Sequence, residues 1–410
     1  MLPAMDTPSA ISTRTETDSL GPRTLPADAL YGAQTSRSRE NFPFPDSPLP
    51  LAVLHAMARL KHACATANER LGVLAPDKAE AIRAACLDVL TGARDASLVL
   101  PVYQAGSGTS SHMNLNEVLA NLANLRLGSA LGAKSPVHPN DDVNCGQSTN
   151  NVFPSAAKLA LIVEHPALAA ATKNLADAFA AKGRDFAGIL KPGRTHLQDA
   201  VPVTLGQEFD AWADALRRAL SRFDAPLRRL HTLGVGGNAV GTGVNTSPRF
   251  RPEILRALPP LVPETSLPFA IPGDPVSATQ FMTDFADYSA ALRALSIDLL
   301  KIANDLRLLS SGPRTGIGEI ALPPVEPGSS IMPGKVNPSI CESTVMVCLH
   351  VQGLDAAVAA ACAAGQLELN TTMPLIAADT LHASRLLAAA TKNLADRCVA
   401  GISARYAWQC

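Results

Sequence analysis

The chain has 410 residues, 47% apolar, 4% aromatic and 17% charged, with 35 Lys and Arg against 36 Asp and Glu for a net charge of -1. That length admits roughly two to three domains and a large core, and the composition excludes intrinsic disorder for most of the chain. The balanced charge excludes the basic excess that a nucleic-acid partner requires.

Residues 1–20 carry Thr, Ser and mixed charges without an apolar stretch, which predicts a disordered arm and not a signal peptide. Helical spacing of apolar residues follows over 51–71 and 155–182. A stronger pattern runs through Phe209, Trp212, Leu216, Leu220, Phe223, Leu227 and Leu230, where Pro226 marks a kink or the last turns. The strongest runs in steps of four and three from Phe281 through Phe285, Tyr288, Leu292, Leu295, Leu299, Ile302, Leu306 and Leu309. Only a long helix has that spacing, and its 3.5-residue average predicts near-parallel neighbours. A further helix is predicted over 339–363. Abundant Ala and Leu with few aromatics suit an all-α fold in which long helices bundle. The loops predicted between them, 104–116, 136–154, 191–205, 234–248 and 312–338, are where function is expected.

Eight cysteines are scattered without a C-x-x-C pair, the pattern of reduced thiols in a cytoplasmic protein. No clustered metal ligands occur, so no metal is expected. The apolar run around 356–364 is half the length of a membrane span, and no membrane partner is expected.

Three loops carry anion-binding chemistry. Residues 328–338 (GSSIMPGKVNP) combine two glycines that free the backbone with hydroxyls, Lys335 and Asn337; a solvated linker is the alternative. Gly106-Ser107-Gly108-Thr109 leads into a helix whose N-terminus favours anions. Gln147-Ser148-Thr149-Asn150 offers four hydrogen-bonding side chains before another helix, where one of them would serve as N-cap. The glycines of 233–243 do not fit a dinucleotide fingerprint. Among nine histidines, His196 lies in the polar run Arg194-Thr195-His196-Leu197-Gln198-Asp199, and Glu342 is a candidate partner for it.

Together these segments resemble the fumarase/aspartase superfamily, which eliminates water or an amine from succinyl compounds to give fumarate. GSGT at 106–109, VHPND at 137–141, QSTN at 147–150, GRTHLQDA at 193–200, AVGTG at 239–243, SGPR at 311–314 and GSSIMPGKVNP at 328–338 stand in the family's order and spacing. The resemblance covers about 30–403. It implies an all-helical homotetramer with a central bundle of long helices and active sites shared between subunits. It also implies a small dicarboxylate substrate and no cofactor. Carried over by motif, Ser329 is the catalytic base, and His196 and Glu342 complete the catalytic set. Ser107, Thr109, Ser148, Thr149, Asn150, Thr195, Lys335 and Asn337 bind substrate, and His138, Asn140 and Asp141 form a secondary anion site.

GSGT, 236–243 and IGEI at 317–320 lean towards the superfamily's class II fumarases and reversible conversion of (S)-malate to fumarate. SATQ at 277–280 and AGQLELN at 364–370 resemble aspartases, which leaves aspartate ammonia-lyase as the alternative. Asn151 stands where the family usually has Asp, Asn238 where fumarases usually have Thr, and the match stops near Ser403. These departures motivate a second alternative, an inactive helical oligomer. The expected division is an arm over 1–20, an N-terminal helical lyase domain over 21–154, a long-helix bundle domain over 155–403, and a divergent tail over 404–410 in place of a small C-terminal domain.

Overall fold

The computed structural model describes residues 12–328 and 330–405. A hairpin of β1 (Thr13–Asp18) and β2 (Gly21–Pro26) precedes α1 (Ala33–Asn41), α2 (Leu51–Arg70), α3 (Pro76–Leu90), α4 (Thr109–Arg126) and α5 (Thr149–Asp185). A second hairpin, β3 (Leu190–Thr195) and β4 (Gln198–Thr204), leads into α6 (Leu205–Ser221), α7 (Asp224–Leu230), α8 (Phe250–Ala257), α9 (Ser277–Gln280) and α10 (Thr283–Leu309). After β5 (Ile320–Ala321) come α11 (Ser339–Ala363), α12 (Met373–Arg397) and β6 (Ser403–Ala404). The expected helical fold is found, and each sheet is only a two-stranded ladder.

The chain divides into two compact units. The first runs up to Ala160 and takes in His231–Met282 and Ala364–Ala378; the second holds Leu161–Leu230, Thr283–Ala363 and the chain from Asp379 onward. The sequence-based boundary at 154 lies close to the first crossing and leaves out the two later returns.

In the first unit α2 packs on α3 and α8, and α4 on α3 and α1. Val53, Met57 and Leu60 of α2, Ile82 and Val89 of α3, and Leu115, Val118 and Leu119 of α4 are buried. The N-terminus of α1 has no capping side chain of its own. Glu117 of α4 supplies one from a distance: its carboxylate accepts the N–H groups of Gly32, Gln34 and Thr35 at 2.9–3.1 Å and the Thr35 hydroxyl at 2.6 Å. Burial pushes the Glu117 carboxyl up, and these donors work against that rise.

The arm expected to be disordered is corrected in part. Residues 13–18 form β1, because Thr alternates with polar residues over TRTETD and a two-residue turn closes with Leu20 N–H on Asp18 Oδ1 at 2.9 Å. Arg14 ties the strand down through the carbonyls of Pro26, Ala27 and Tyr31. Of the predicted tail, Ala404 belongs to β6 and the Arg405 N–H donates to the Glu319 carbonyl at 2.8 Å; 406–410 lie outside the described residues.

In the second unit α10 packs against α11, α6 and α7. Phe285, Tyr288, Leu292, Leu295, Leu299, Ile302, Leu306 and Leu309 are all buried along one stripe. Phe281 keeps the spacing and yet is 61% exposed, because the helix begins only at Thr283. The other strong pattern breaks after Ser221, and Pro226 sits in the first turn of α7, where its missing N–H is harmless. A capping box starts α6: Gln207 N–H donates to Thr204 Oγ1 and Thr204 N–H to Gln207 Oε1. Helix α11 is long and apolar enough to cross a membrane, by length and composition, with mean hydropathy 1.6 over a window of which 22% is buried.

Truncating the α10 stripe should open a cavity that its neighbours cannot fill. Leu295→Ala should cost about 3 kcal/mol, while Ile297→Ala, at a side chain 46% exposed, should cost under about 1 kcal/mol. Equal shifts of the denaturant midpoint for the two variants would contradict the buried stripe.

Candidate active site

In the first unit the 106–109 and 147–150 motifs end on two helix N-termini. Ser107 is buried at φ 62° and its N–H donates to the Thr371 carbonyl at 2.9 Å. Gly108, at φ +87°, lies so close to the Phe153 ring that a Cβ there would overlap it. This tight turn delivers Thr109 to the start of α4, its Oγ1 3.3 Å from Ser107 Oγ. At the start of α5, Ser148 Oγ accepts the Asn150 N–H at 3.3 Å, the N-cap role expected for one residue of the four. Asn150 Nδ2 donates to the Ala239 carbonyl at 2.8 Å, which ties the motif to the Gly-rich 233–243 segment.

One contact joins the helix that follows the first motif to the second motif. His112, in the first turns of α4, places Nδ1 2.6 Å from Thr149 Oγ1, and Lys61 of α2 lies behind it. Neither residue was legible in the sequence, since both sit within apolar helical patterns and meet across long separations. The two departures from the family pattern lie next to this loop. Asn151 is buried, donates to Thr279 Oγ1 at 2.8 Å, and leaves its Oδ1 without a hydrogen-bond partner among the described residues. Asn238 takes a left-handed φ of 47° and donates to the Val244 carbonyl.

In the second unit the segment predicted as a loop over 191–205 is the β3–β4 hairpin. Its strands contain Pro192, Gly193 and Pro202 and lack clean alternation, so composition hides them. Thr195 pairs with Gln198, and the two residues of the turn, His196 and Leu197, have φ values of 56° and 59°. Positive φ at both positions is the requirement of a type I′ turn, and it holds Thr195 and His196 out in solvent. The base of the hairpin is tied by buried charge. Lys191 Nζ lies 2.7 Å from Glu208 and 2.6 Å from Glu319, and Arg194 lies 2.7 Å from the other Glu319 oxygen.

The 328–338 segment closes at its neck, where Gly328 N–H donates to the Lys335 carbonyl at 2.9 Å and Asn337 Nδ2 to the Gly328 carbonyl at 3.0 Å. Asn337 therefore shapes the loop in addition to any contact it makes with a ligand. Ser329 lies outside the described residues. Lys335, Asn337 and Glu342 line one cleft of about 990 Å³ together with Arg307 and Arg405. His196 lines another, of about 720 Å³, with Arg194, Lys301 and Asp305. Neither cleft is lined by both His196 and Glu342, the pair expected from the sequence.

His138 also has a structural duty. Its Nδ1 accepts the N–H groups of Asn140 and Asp141, both at 3.3 Å, and so caps the helical turn Pro139–Val143. Among the described residues no three His, Cys, Asp or Glu side chains are gathered in a way that could hold a metal ion.

A family described as lyases matches residues 21–353. A class II fumarate hydratase of Chromobacterium violaceum is 47% identical over 395 residues, 96% of this chain and 85% of that protein. A fumarate lyase:delta crystallin of Brucella melitensis, solved with cobalt bound, superimposes with a TM-score of 0.93 at 47% identity, covering 96% of this chain and 85% of that one. The class II fumarase of Schistosoma mansoni gives a TM-score of 0.93 at 38% identity over the same shares.

The buried ions at the hairpin base make a direct prediction. Glu319→Ala strands Lys191 and Arg194 without their shared partner and should cost about 3 kcal/mol. Chemical denaturation with the hairpin's hydrogen exchange followed in parallel checks it; an unchanged midpoint would show that Glu208 alone suffices.

Proposed function

The chain belongs to the fumarase/aspartase superfamily of lyases, and from that premise we propose that it interconverts (S)-malate and fumarate as a class II fumarate hydratase. The observation that carries this reading is identity of 45–47% to several class II fumarate hydratases over 95–96% of the chain. Those matches span every motif named above.

The reaction removes a proton from C3 of malate, and the charge left behind moves onto the adjacent carboxylate. Catalysis therefore depends on donors and cations aimed where that charge grows. Lys335 and Asn337 carry the groups suited to this role, beside a loop whose glycines let backbone amides turn inward. A serine hydroxyl is a weak base, so Ser329 acts once it is set among donors that favour its alkoxide. Ser107, Thr109, Ser148, Thr149, Asn150 and Thr195 supply hydroxyls and an amide for the substrate carboxylates, while His196 and Glu342 handle the departing water. These protein groups provide the charge stabilisation, and the reading is of a metal-independent enzyme.

The complete site requires more than one copy of the chain. Thr195 and His196 stand on an exposed turn, and Leu197 between the strands is 69% exposed; Lys335 of the loop and Glu342 in the first turn of α11 line another cleft. Helix α11 leaves Met346 64% and Leu349 55% exposed, an apolar face suited to pairing with copies of itself. A homotetramer with shared sites satisfies both features.

Absorbance of the fumarate double bond after adding malate tests the reaction; formation from L-aspartate without formation from malate would hand the chain to the ammonia-lyases. Ser329→Ala should lower kcat roughly a thousandfold while substrate still binds, and an unchanged kcat would remove Ser329 from the mechanism. Met346→Glu with Leu349→Glu should shift the native mass below that of the parent and lower activity with it; a full-sized assembly would show that α11 is not an interface.

A further inference from the structure

Behind the 147–150 loop the first unit buries a lysine and a histidine that the chemistry above does not use. Lys61 and His112 are 0% and 1% exposed. Lys61 Nζ lies 2.8 Å from His112 Nε2, 3.1 Å from Gln147 Oε1 and 3.4 Å from Asn144 Oδ1. An ammonium carries three hydrogens and no lone pair. It meets three acceptors here, none of them a carboxylate, and that arrangement suits the charged form. Burial pulls Lys61 down to about 7, so it keeps its proton below neutral pH. The thiols nearest to it, Cys64 on the same helix and Cys86 on α3, are pushed up to about 12 by burial and stay neutral.

The geometry then fixes where the imidazole holds its proton. His112 is held well below the usual imidazole range by burial and by Lys61, so it is neutral. Its Nε2 faces an ammonium and must accept, which leaves the single ring proton on Nδ1. Nδ1–H donates to Thr149 Oγ1 at 2.6 Å. The Thr149 hydroxyl, half-buried at the start of α5, then has its own hydrogen free to point away from His112. With the opposite tautomer Nδ1 would take that hydrogen, and the hydroxyl would face an anion with lone pairs only.

We propose that Lys61 and His112 are positioning residues which lock one imidazole tautomer and thereby make the Thr149 hydroxyl a donor to a substrate carboxylate. The inference rests on reading 147–150 as a dicarboxylate-binding loop. It predicts an effect on binding that passes through Thr149 alone.

The test is steady-state kinetics on malate below neutral pH. His112→Leu cannot donate to Thr149, whereas the amide of His112→Asn can present an N–H where Nδ1 stood. His112→Leu and Lys61→Met should each raise KM about tenfold with kcat within about twofold, the loss of one hydrogen bond to a charged group. His112→Asn should hold KM within about threefold of the parent, given that a correctly placed amide restores the bond. Lys61→Met combined with Thr149→Val should be no worse than Thr149→Val alone, because the two act on one contact. Equal KM values for the Leu and Asn variants, or additive losses in the double variant, would overturn the inference. If Lys61→Met does not fold, the two His112 variants decide. A parent chain that turns over malate with every variant at parental KM defeats this inference alone, and a parent chain inert on malate defeats it together with the reading beneath it.

Discussion

Apolar stripes on long helices have to be taken out of water together, and the stripe of α10 sets that condition for the second unit. Side chains from Phe285 to Leu309 are buried along it, each worth about 1.5–3 kcal/mol as an upper bound. A helix cannot cover its own stripe, so α11, α6 and α7 are drawn against it. The functional segments follow from this arrangement: the β3–β4 hairpin runs directly into α6, and the 328–338 loop directly into α11. Flexible-looking sequence is thereby hung from helices packed on that stripe.

Buried charge is the second organising cost, and each instance is answered by specific donors or counter-ions. Glu117 is met by four donors around the first turn of α1. Lys191 is met by two carboxylates, one of them shared with Arg194. Lys61 is met, among the described residues, by neutral acceptors. A buried charged or polar group left without its partners is expensive, so the first two arrangements fix local geometry firmly. The third is different in kind, because an ammonium held by neutral groups can direct hydrogen positions without adding a counter-charge beside a binding loop.

What could be read from sequence was whatever repeats or lies close along the chain. The α10 stripe was legible because eight positions agree on one spacing; its start was overrun to Phe281 because an apolar residue continued the rhythm past the helix end. The anion-binding motifs were legible because glycines and hydroxyls cluster within a few positions, and Ser148 does cap α5 as capping chemistry suggests. The β3–β4 ladder was hidden by its prolines, and β1 by its polarity. The Lys61–His112–Thr149 chain was invisible for another reason: its links span 51 and 37 residues, and nothing local marks a buried lysine as different from a surface one. His138 shows the converse, a residue whose motif points to anion binding and whose Nδ1 is occupied in capping its own turn.

The His196–Leu197 turn bears on how this position can vary among related chains. Leucine is bulky and apolar, and it is 69% exposed in a left-handed conformation that costs an L-residue about 1–2 kcal/mol. Valine or isoleucine would preserve the polarity and lose the backbone, since branching at Cβ deepens that penalty. Asparagine or glycine would lose the apolar surface and keep the backbone. Exchange at 197 should therefore be governed by chain geometry, so that residues a hydrophobicity scale treats as near-synonyms are not interchangeable there.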